Sequence, residues 1–143
     1  MTSASQICVL TLAVMRAVAT RKLSPDACFE HSIKSLSQLH EAGVPFLTGT
    51  DSYQRRQAPA GFAHVKTFVE GLGLLSRFAM SNLEVLQTAT IMSARCFGWR
   101  DRGMIELAKR PDLVLISGNP LEDWQGPRTV EAIWCSGVMR SIQ

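Results

Sequence analysis

Apolar residues along this 143-residue chain follow two different periods. Ile7-Cys8-Val9-Leu10-Thr11-Leu12 is a short, nearly continuous apolar run, the pattern of a strand buried on both faces in a parallel sheet. Ala13 to Thr20 continues as helix or loop. Ser24-Pro25 predicts a helix start, with Ser24 as cap and Pro25 in the first helical position. Phe29, Ile33, Leu36 and Leu39 recur at helical spacing and predict one apolar stripe. Gly43 ends that helix, and Val44 to Thr48 is the next strand. A β-α-β order of this kind implies a right-handed crossover onto a parallel neighbour.

Ser52 to Gly61 is a polar loop with Arg55, Arg56 and Pro59. Val65, Phe68, Val69, Leu72 and Leu75 then mark a helix, weakened by Gly71 and Gly73 at about 1 kcal/mol each relative to alanine. Ser81-Asn82-Leu83-Glu84 is a capping box. The helix it opens is predicted to run through Val85, Leu86, Ala89, Thr90 and Ala94 towards Cys96, with Gly98 as its stop. Past Gly98 the period changes. Gly103–Glu106, Asp112–Ile116, Val130–Trp134 and Val138–Arg140 read as short strands, with turns at Gly118-Asn119-Pro120 and Ser136-Gly137. The chain therefore divides into an α/β part, residues 1–97, and a β-meander, residues 98–143.

A hydrophobic share of 46% is enough for a packed core, but a complete parallel eight-stranded barrel needs roughly 200 residues or more. The formal charge of +3 is small and its basic residues are scattered, as in Arg21-Lys22, Arg55-Arg56 and Lys109-Arg110. No basic run interleaved with aromatics appears, so no nucleic-acid partner is expected. The apolar run from Ile7 to Ala19 is broken by Arg16 and too short to span a bilayer, so no membrane partner is expected either. Cys8, Cys28, Cys96 and Cys135 are widely spaced, which fits reduced thiols in a cytoplasmic protein better than a zinc knuckle or a disulfide framework. His31 and His40 sit nine apart and His64 stands alone, so no His-x-His or His-x-x-x-His metal site can be built. There is no Gly-x-Ser-x-Gly elbow and no phosphate loop.

The segment Leu39-His40-Glu41-Ala42-Gly43-Val44-Pro45-Phe46-Leu47-Thr48-Gly49-Thr50-Asp51-Ser52 delivers an aspartate to a strand's C-terminal tip. It resembles the eighth barrel strand of the metal-dependent amidohydrolase family. The tail is similar to the same family's C-terminal segment: Asp101-Arg102-Gly103-Met104-Ile105-Glu106, Lys109-Arg110-Pro111-Asp112-Leu113-Val114-Leu115-Ile116, Gly118-Asn119-Pro120-Leu121-Glu122-Asp123 and Val130-Glu131-Ala132-Ile133-Trp134-Cys135-Ser136-Gly137. Ser81 to Phe97 resembles the helix joining barrel to sandwich. The nearest branch is the imidazolonepropionase-like and prolidase-like one. Two departures stand out. Val69-Glu70-Gly71-Leu72-Gly73-Leu74 replaces a His-x-Glu-Leu-Glu-Leu pattern, and Glu106-Leu107-Ala108-Lys109 replaces Glu-Pro-Gly-Lys. Ala108 in place of a turn glycine is costly if its φ is positive.

The resemblance implies an α/β fold: the C-terminal fragment of a (β/α)8 metal-dependent hydrolase barrel, about its last two β/α units, followed by short strands of a small composite β-sandwich. Residues 1–97 would be the partial barrel and 98–143 the sandwich strands. Complete members hydrolyse C–N bonds of amides and cyclic amides with zinc or another divalent metal. Asp51 matches the acid that binds metal and moves the proton, and His64 matches a histidine facing the substrate pocket. The family's other ligands lie on earlier strands. The chain alone is therefore expected to be truncated, to hold no catalytic metal and to be inactive. For Asp51 a turn-capping role, and for His64 a helix-start role, remain open beside the functional ones. The alternative to a hydrolase is a non-catalytic interaction module, which would self-associate or pair with a chain supplying the missing barrel strands. A further alternative is an accessory protein of a fungal-type biosynthetic cluster.

Overall fold

The computed structural model describes residues 7–19, 25–51, 64–124 and 129–142. β1 (Cys8–Leu10) and β2 (Phe46–Thr48) run parallel, with Cys8 beside Phe46, Val9 beside Leu47 and Leu10 beside Thr48. Between them lie α1 (Leu12–Ala19) and α2 (Pro25–Glu41). The first strand is shorter than its apolar run, because Leu12 already belongs to α1 and is buried there. α2 opens at Pro25, whose fixed φ suits the first helical turn; Ser24, its expected cap, lies outside the described residues.

α2 ends as Gly43 predicts. Its φ is 74°, its N–H donates to the His40 carbonyl at 2.9 Å, and the Val44 N–H donates to the Leu39 carbonyl at 3.1 Å. These two bonds satisfy the last helix carbonyls and turn the chain into β2. Leu36 is buried, and Phe29 and Ile33 pack against the core, but Leu39 is exposed and lies outside the stripe expected of it.

α3 (His64–Phe78) follows β2, then α4 (Asn82–Ala89) and α5 (Ile91–Cys96). The main cluster joins Leu10 and Phe46 of the strands to Leu12, Leu36, Leu72, Leu75 and Val85 of four helices. Val69, expected on the buried side of α3, is exposed instead. Gly71 backs onto Thr48, where an added Cβ would sit 3.8 Å from the threonine methyl. The Thr48 hydroxyl meets that of Thr88 at 2.6 Å, and Thr88 donates to the Val85 carbonyl at 2.7 Å. Thr88 has one hydroxyl proton, so Thr48 is the donor of the pair. This bond pins α4 to β2.

The capping box forms. The Ser81 N–H donates to Glu84 at 2.8 Å, and the Glu84 N–H donates to the Ser81 hydroxyl at 3.3 Å. The long helix expected to follow is instead two, broken at Thr90 with φ −126° and ψ −99°. The hydroxyls of Thr88, Thr90 and Ser93 donate to the carbonyls of Val85, Leu86 and Thr88. Such bonds compete with the helical ladder and account for the break. Gly98, at φ 72°, closes α5 as expected.

The tail forms one antiparallel sheet of β3 (Leu113–Ile116), β4 (Val130–Cys135) and β5 (Val138–Arg140), in that order. Ser136 and Gly137, at φ 52° and 79°, make the two-residue turn between β4 and β5. Positive φ at both positions matches the twist of the paired strands. The expected strand Gly103–Glu106 is absent. Gly103 instead tucks against α5: a Cβ there would stand 2.8 Å from the Ala94 Cβ and 3.1 Å from the Ile91 Cα. That close approach fixes a hook, not a ladder. Asp112 accepts the Ser136 N–H at 2.7 Å and pairs with Arg110 at 2.9 Å, while Asp101 pairs with Arg102 at 2.9 Å.

Ala108 does adopt a left-handed conformation, with φ 65°. A Cβ in that region costs about 1–2 kcal/mol. Ala108→Gly is therefore expected to raise the thermal midpoint by a few degrees, read by circular dichroism, whereas Gly103→Ala lowers it. A hydrogen bond from the Arg102 side chain holds the Asp101 carboxyl below its usual pKa, and the Ser136 N–H does the same for Asp112. Depressed carboxylates stabilise the fold above their unfolded pKa and lose that contribution as pH falls through the folded one. The thermal midpoint should fall below about pH 4, and Asp112→Asn should flatten that dependence.

Candidate functional site

The order of residues after β2 decides where the candidate acid stands. The Gly49 N–H donates to the Leu10 carbonyl at 2.8 Å, extending the parallel ladder one step beyond Thr48. A side chain at Gly49 would lie 2.8 Å from the Val9 methyl, so glycine lets the strands stay close here. Thr50 is half-buried, and Asp51 is exposed, at φ 47°. Aspartate tolerates the left-handed region better than most residues, because its short polar side chain can bond locally. The acid thus sits just beyond the C-terminal end of a parallel strand, as its sequence position predicts. That end of the strands is where enzymes of this architecture place catalytic groups.

No other described residue holds the Asp51 carboxylate by a hydrogen bond or ion pair. The turn it would cap begins at Ser52, outside the described residues. His64 is the first residue of α3; its side chain also lies outside them, and with it the expected substrate-pocket role. The other two histidines are on α2, on the N-terminal side of β2. His31 is exposed. His40 has a partner: its Nε2 lies 3.2 Å from Glu84 Oε1. Its ring also stacks on Phe46, 6.2 Å between centroids with planes 23° apart. The Ser81 hydroxyl and N–H, with a smaller contribution from His40, hold the Glu84 carboxyl below its ordinary pKa. Glu84 lies 44 residues from His40, and local sequence spacing carries no sign of that contact.

Among the described residues no group of three or more His, Cys, Asp or Glu side chains could hold a metal ion. A divalent ion of the zinc type needs three or four donors, and Asp51 offers one carboxylate. The described donors therefore do not make a metal site by themselves. Cys8, Cys96 and Cys135 are free thiols. Among the described residues no helix is long and apolar enough to cross a membrane. Among the described residues, cavities lie away from Asp51. One, of about 490 Å³, lies between α1, α3 and the tail, with the Arg16–Glu70 ion pair, Arg77 and Trp124 on its wall. Another, of about 420 Å³, adjoins His40, Phe46 and Glu84.

If the Asp51 carboxylate serves chemistry and not the fold, removing it leaves stability intact. Asp51→Asn should leave the thermal midpoint unchanged, and Asp51→Gly should match or raise stability by up to about 1 kcal/mol, since glycine relieves the left-handed backbone. A clear loss in both variants would identify the carboxylate as a turn cap.

The chain matches the amidohydrolase family over residues 6–140. None of the curated proteins matches it. Several solved structures share its fold. A. niger ochratoxinase aligns at a TM-score of 0.73 and 23% identity, over 93% of this chain and 31% of its own. A prolidase complexed with N-methylphosphonate-L-proline aligns at 0.72 and 22%, over 97% of this chain and 36% of its own. A Xaa-Pro dipeptidase with bound methionine aligns at 0.72 and 20%, over 94% of this chain and 34% of its own. This chain thus spans about a third of the length of those structures. The family is in general metal-dependent. With parallel strands carrying an acid beyond their C-terminal end, and a family match along nearly its whole length, the chain belongs to the amidohydrolase family.

Proposed function

We propose that this chain is the C-terminal portion of a metal-dependent amidohydrolase and supplies Asp51 to a site whose other groups lie elsewhere in the barrel. Residues 1–97 contribute the closing β/α units and residues 98–143 the strands of an accompanying sandwich. The reaction is hydrolysis of amide or cyclic-amide C–N bonds, and the compartment is the cytoplasm. The placement of Asp51 beyond β2, on a left-handed backbone, carries this reading. Hydrolysis adds water across the C–N bond, so a proton must travel from water to the departing nitrogen. A carboxylate at the strand tip can take and return that proton at its oxygen. The metal of complete relatives supplies Lewis acidity; the described donors of this chain do not fit it unaided, and on this reading no turnover is expected from the chain alone.

A second reading, a non-catalytic module that pairs with another chain, is favoured by one observation. Among the described residues β1 and β2 form a sheet of only two strands, and Val9 of β1 is 58% exposed.

The test is a pair of assays on N-acyl amino acids and Xaa-Pro dipeptides with added zinc. The isolated chain should show no turnover above blank and retain no stoichiometric metal by mass spectrometry. A chimera joining it to the first two thirds of a solved prolidase should hydrolyse the substrate, and Asp51→Asn should then lower kcat by about 10²–10⁴. Turnover by the isolated chain, or a chimera indifferent to Asp51→Asn, would overturn the reading.

A further inference from the structure

We propose that Thr88 is a positioning residue for Asp51. Its buried hydroxyl holds the Thr48 side chain, and through Thr48 the end of β2 from which the acid departs. This role rests on the proposed function of Asp51 and deepens it by naming the group on another element that sets the acid's place.

Only Gly49 and Thr50 stand between Thr48 and Asp51. Gly49 brings no side chain to hold, and glycine leaves its backbone the widest choice of conformation. Asp51 itself sits at φ 47°. Whatever fixes the tip must therefore grip the chain at Gly49 or just before it. Among the described residues, one backbone bond and one side-chain bond do so. The Gly49 N–H donates to the Leu10 carbonyl at 2.8 Å, which ties the chain to β1. The Thr48 hydroxyl meets that of Thr88 at 2.6 Å, which ties it to α4. Side chains alternate along a strand, so Thr48 shares a face with Phe46, a member of the helix-packed cluster. Gly71 of α3 backs the Thr48 methyl on that face.

The Thr88 end of the bond is built to point one way. Thr88 is 2% exposed. Its hydroxyl donates to the Val85 carbonyl at 2.7 Å, and its own carbonyl accepts the Ser93 hydroxyl at 2.7 Å. With its one proton given to Val85, the Thr88 oxygen only accepts, and the Thr48 hydroxyl has one direction in which to donate. An apolar pair would cover the strand as well, with no polar group to satisfy. Apolar packing is non-directional, however, whereas a hydroxyl pair fixes both a distance and an angle. The chemistry chosen here suits placement more than burial. The partners lie 40 residues apart, so local spacing gives no sign of the contact.

The first test uses the full chain and needs no activity. Amide hydrogen exchange by NMR compares Gly49, at the exit of β2, with Val44, whose N–H donates to the Leu39 carbonyl at the entrance. Thr88→Val keeps the shape and drops the hydroxyl; it should speed exchange at Gly49 about fivefold or more relative to Val44. Thr88→Ser should restore most of the protection. Thr48→Val should act like Thr88→Val, and the two together should be no faster than Thr88→Val alone, because one bond is lost either way. Leu36→Val, a core loss on α2, should lower the thermal midpoint and leave the Gly49-to-Val44 ratio unchanged. The second test uses the prolidase chimera. Thr88→Val should lower kcat by about 10–10² with KM unchanged, and Thr88→Ser should recover it.

Equal acceleration at Gly49 and Val44, or none at either, overturns the proposal, since the bond would then serve general stability or nothing. A chimera that requires Asp51 but keeps its kcat in Thr88→Val overturns it too and leaves the hydrolase reading standing. A chimera indifferent to Asp51→Asn overturns the hydrolase reading instead, and the exchange ratio still decides whether Thr88 holds the end of β2.

Discussion

Three residue pairs in one parallel ladder, Cys8 with Phe46, Val9 with Leu47 and Leu10 with Thr48, set the position of everything that bears on function. The ladder places Gly49 against Val9, and Gly49 in turn lets the chain leave the sheet at Thr50 and Asp51. Slipping the register by one residue would turn Phe46 and Leu10 away from the helix core that both join. The helices hold the register from one side: the hydroxyl bond from Thr48 to Thr88 and the seating of Gly71 behind the same threonine both tie β2 to its cover.

The tail is held by different means. Its residues are mostly exposed, and its main buried anchor is Ala132. Charge and backbone geometry supply what burial does not. Asp112 grips the turn between β4 and β5, Asp101 pairs with Arg102, and Arg102 lies 5.1 Å above the Trp99 ring. The links to the helical part include Trp124, packed against the main cluster, the close approach of Gly103 to α5, and the Asn82 amide donating to the Leu121 carbonyl at 3.0 Å.

What could be read from the residues alone followed rules of short range. Gly43, the Ser81–Glu84 box, Gly98, the Ser136-Gly137 turn and the strain at Ala108 all depend on a few neighbouring positions, and each is found as expected. The misread features depend on distant partners or on competition. The break at Thr90 arises because three hydroxyls draw carbonyls away from the helix ladder, which periodicity does not register. The hook at Gly103 exists because α5 passes within van der Waals distance of it. Periodicity named the apolar faces of α2 and α3 but not which residues would be covered, hence the exposure of Leu39 and Val69. Of the candidate site, the position of Asp51 was legible because strand and turn are local; the contact of His40 with Glu84 was not, because the two lie 44 residues apart.

The Glu84 carboxylate divides its two oxygens between separate parts of the molecule: Oε2 receives the Ser81 N–H and Oε1 faces His40. The beginning of one helix and the end of another are thereby tied to a single side chain. Segments joined this way tend to open together and not one at a time. The loop from Gly43 to Pro45 that leads into β2 runs between them, so the strand bearing the acid inherits the cooperativity of that shared anchor.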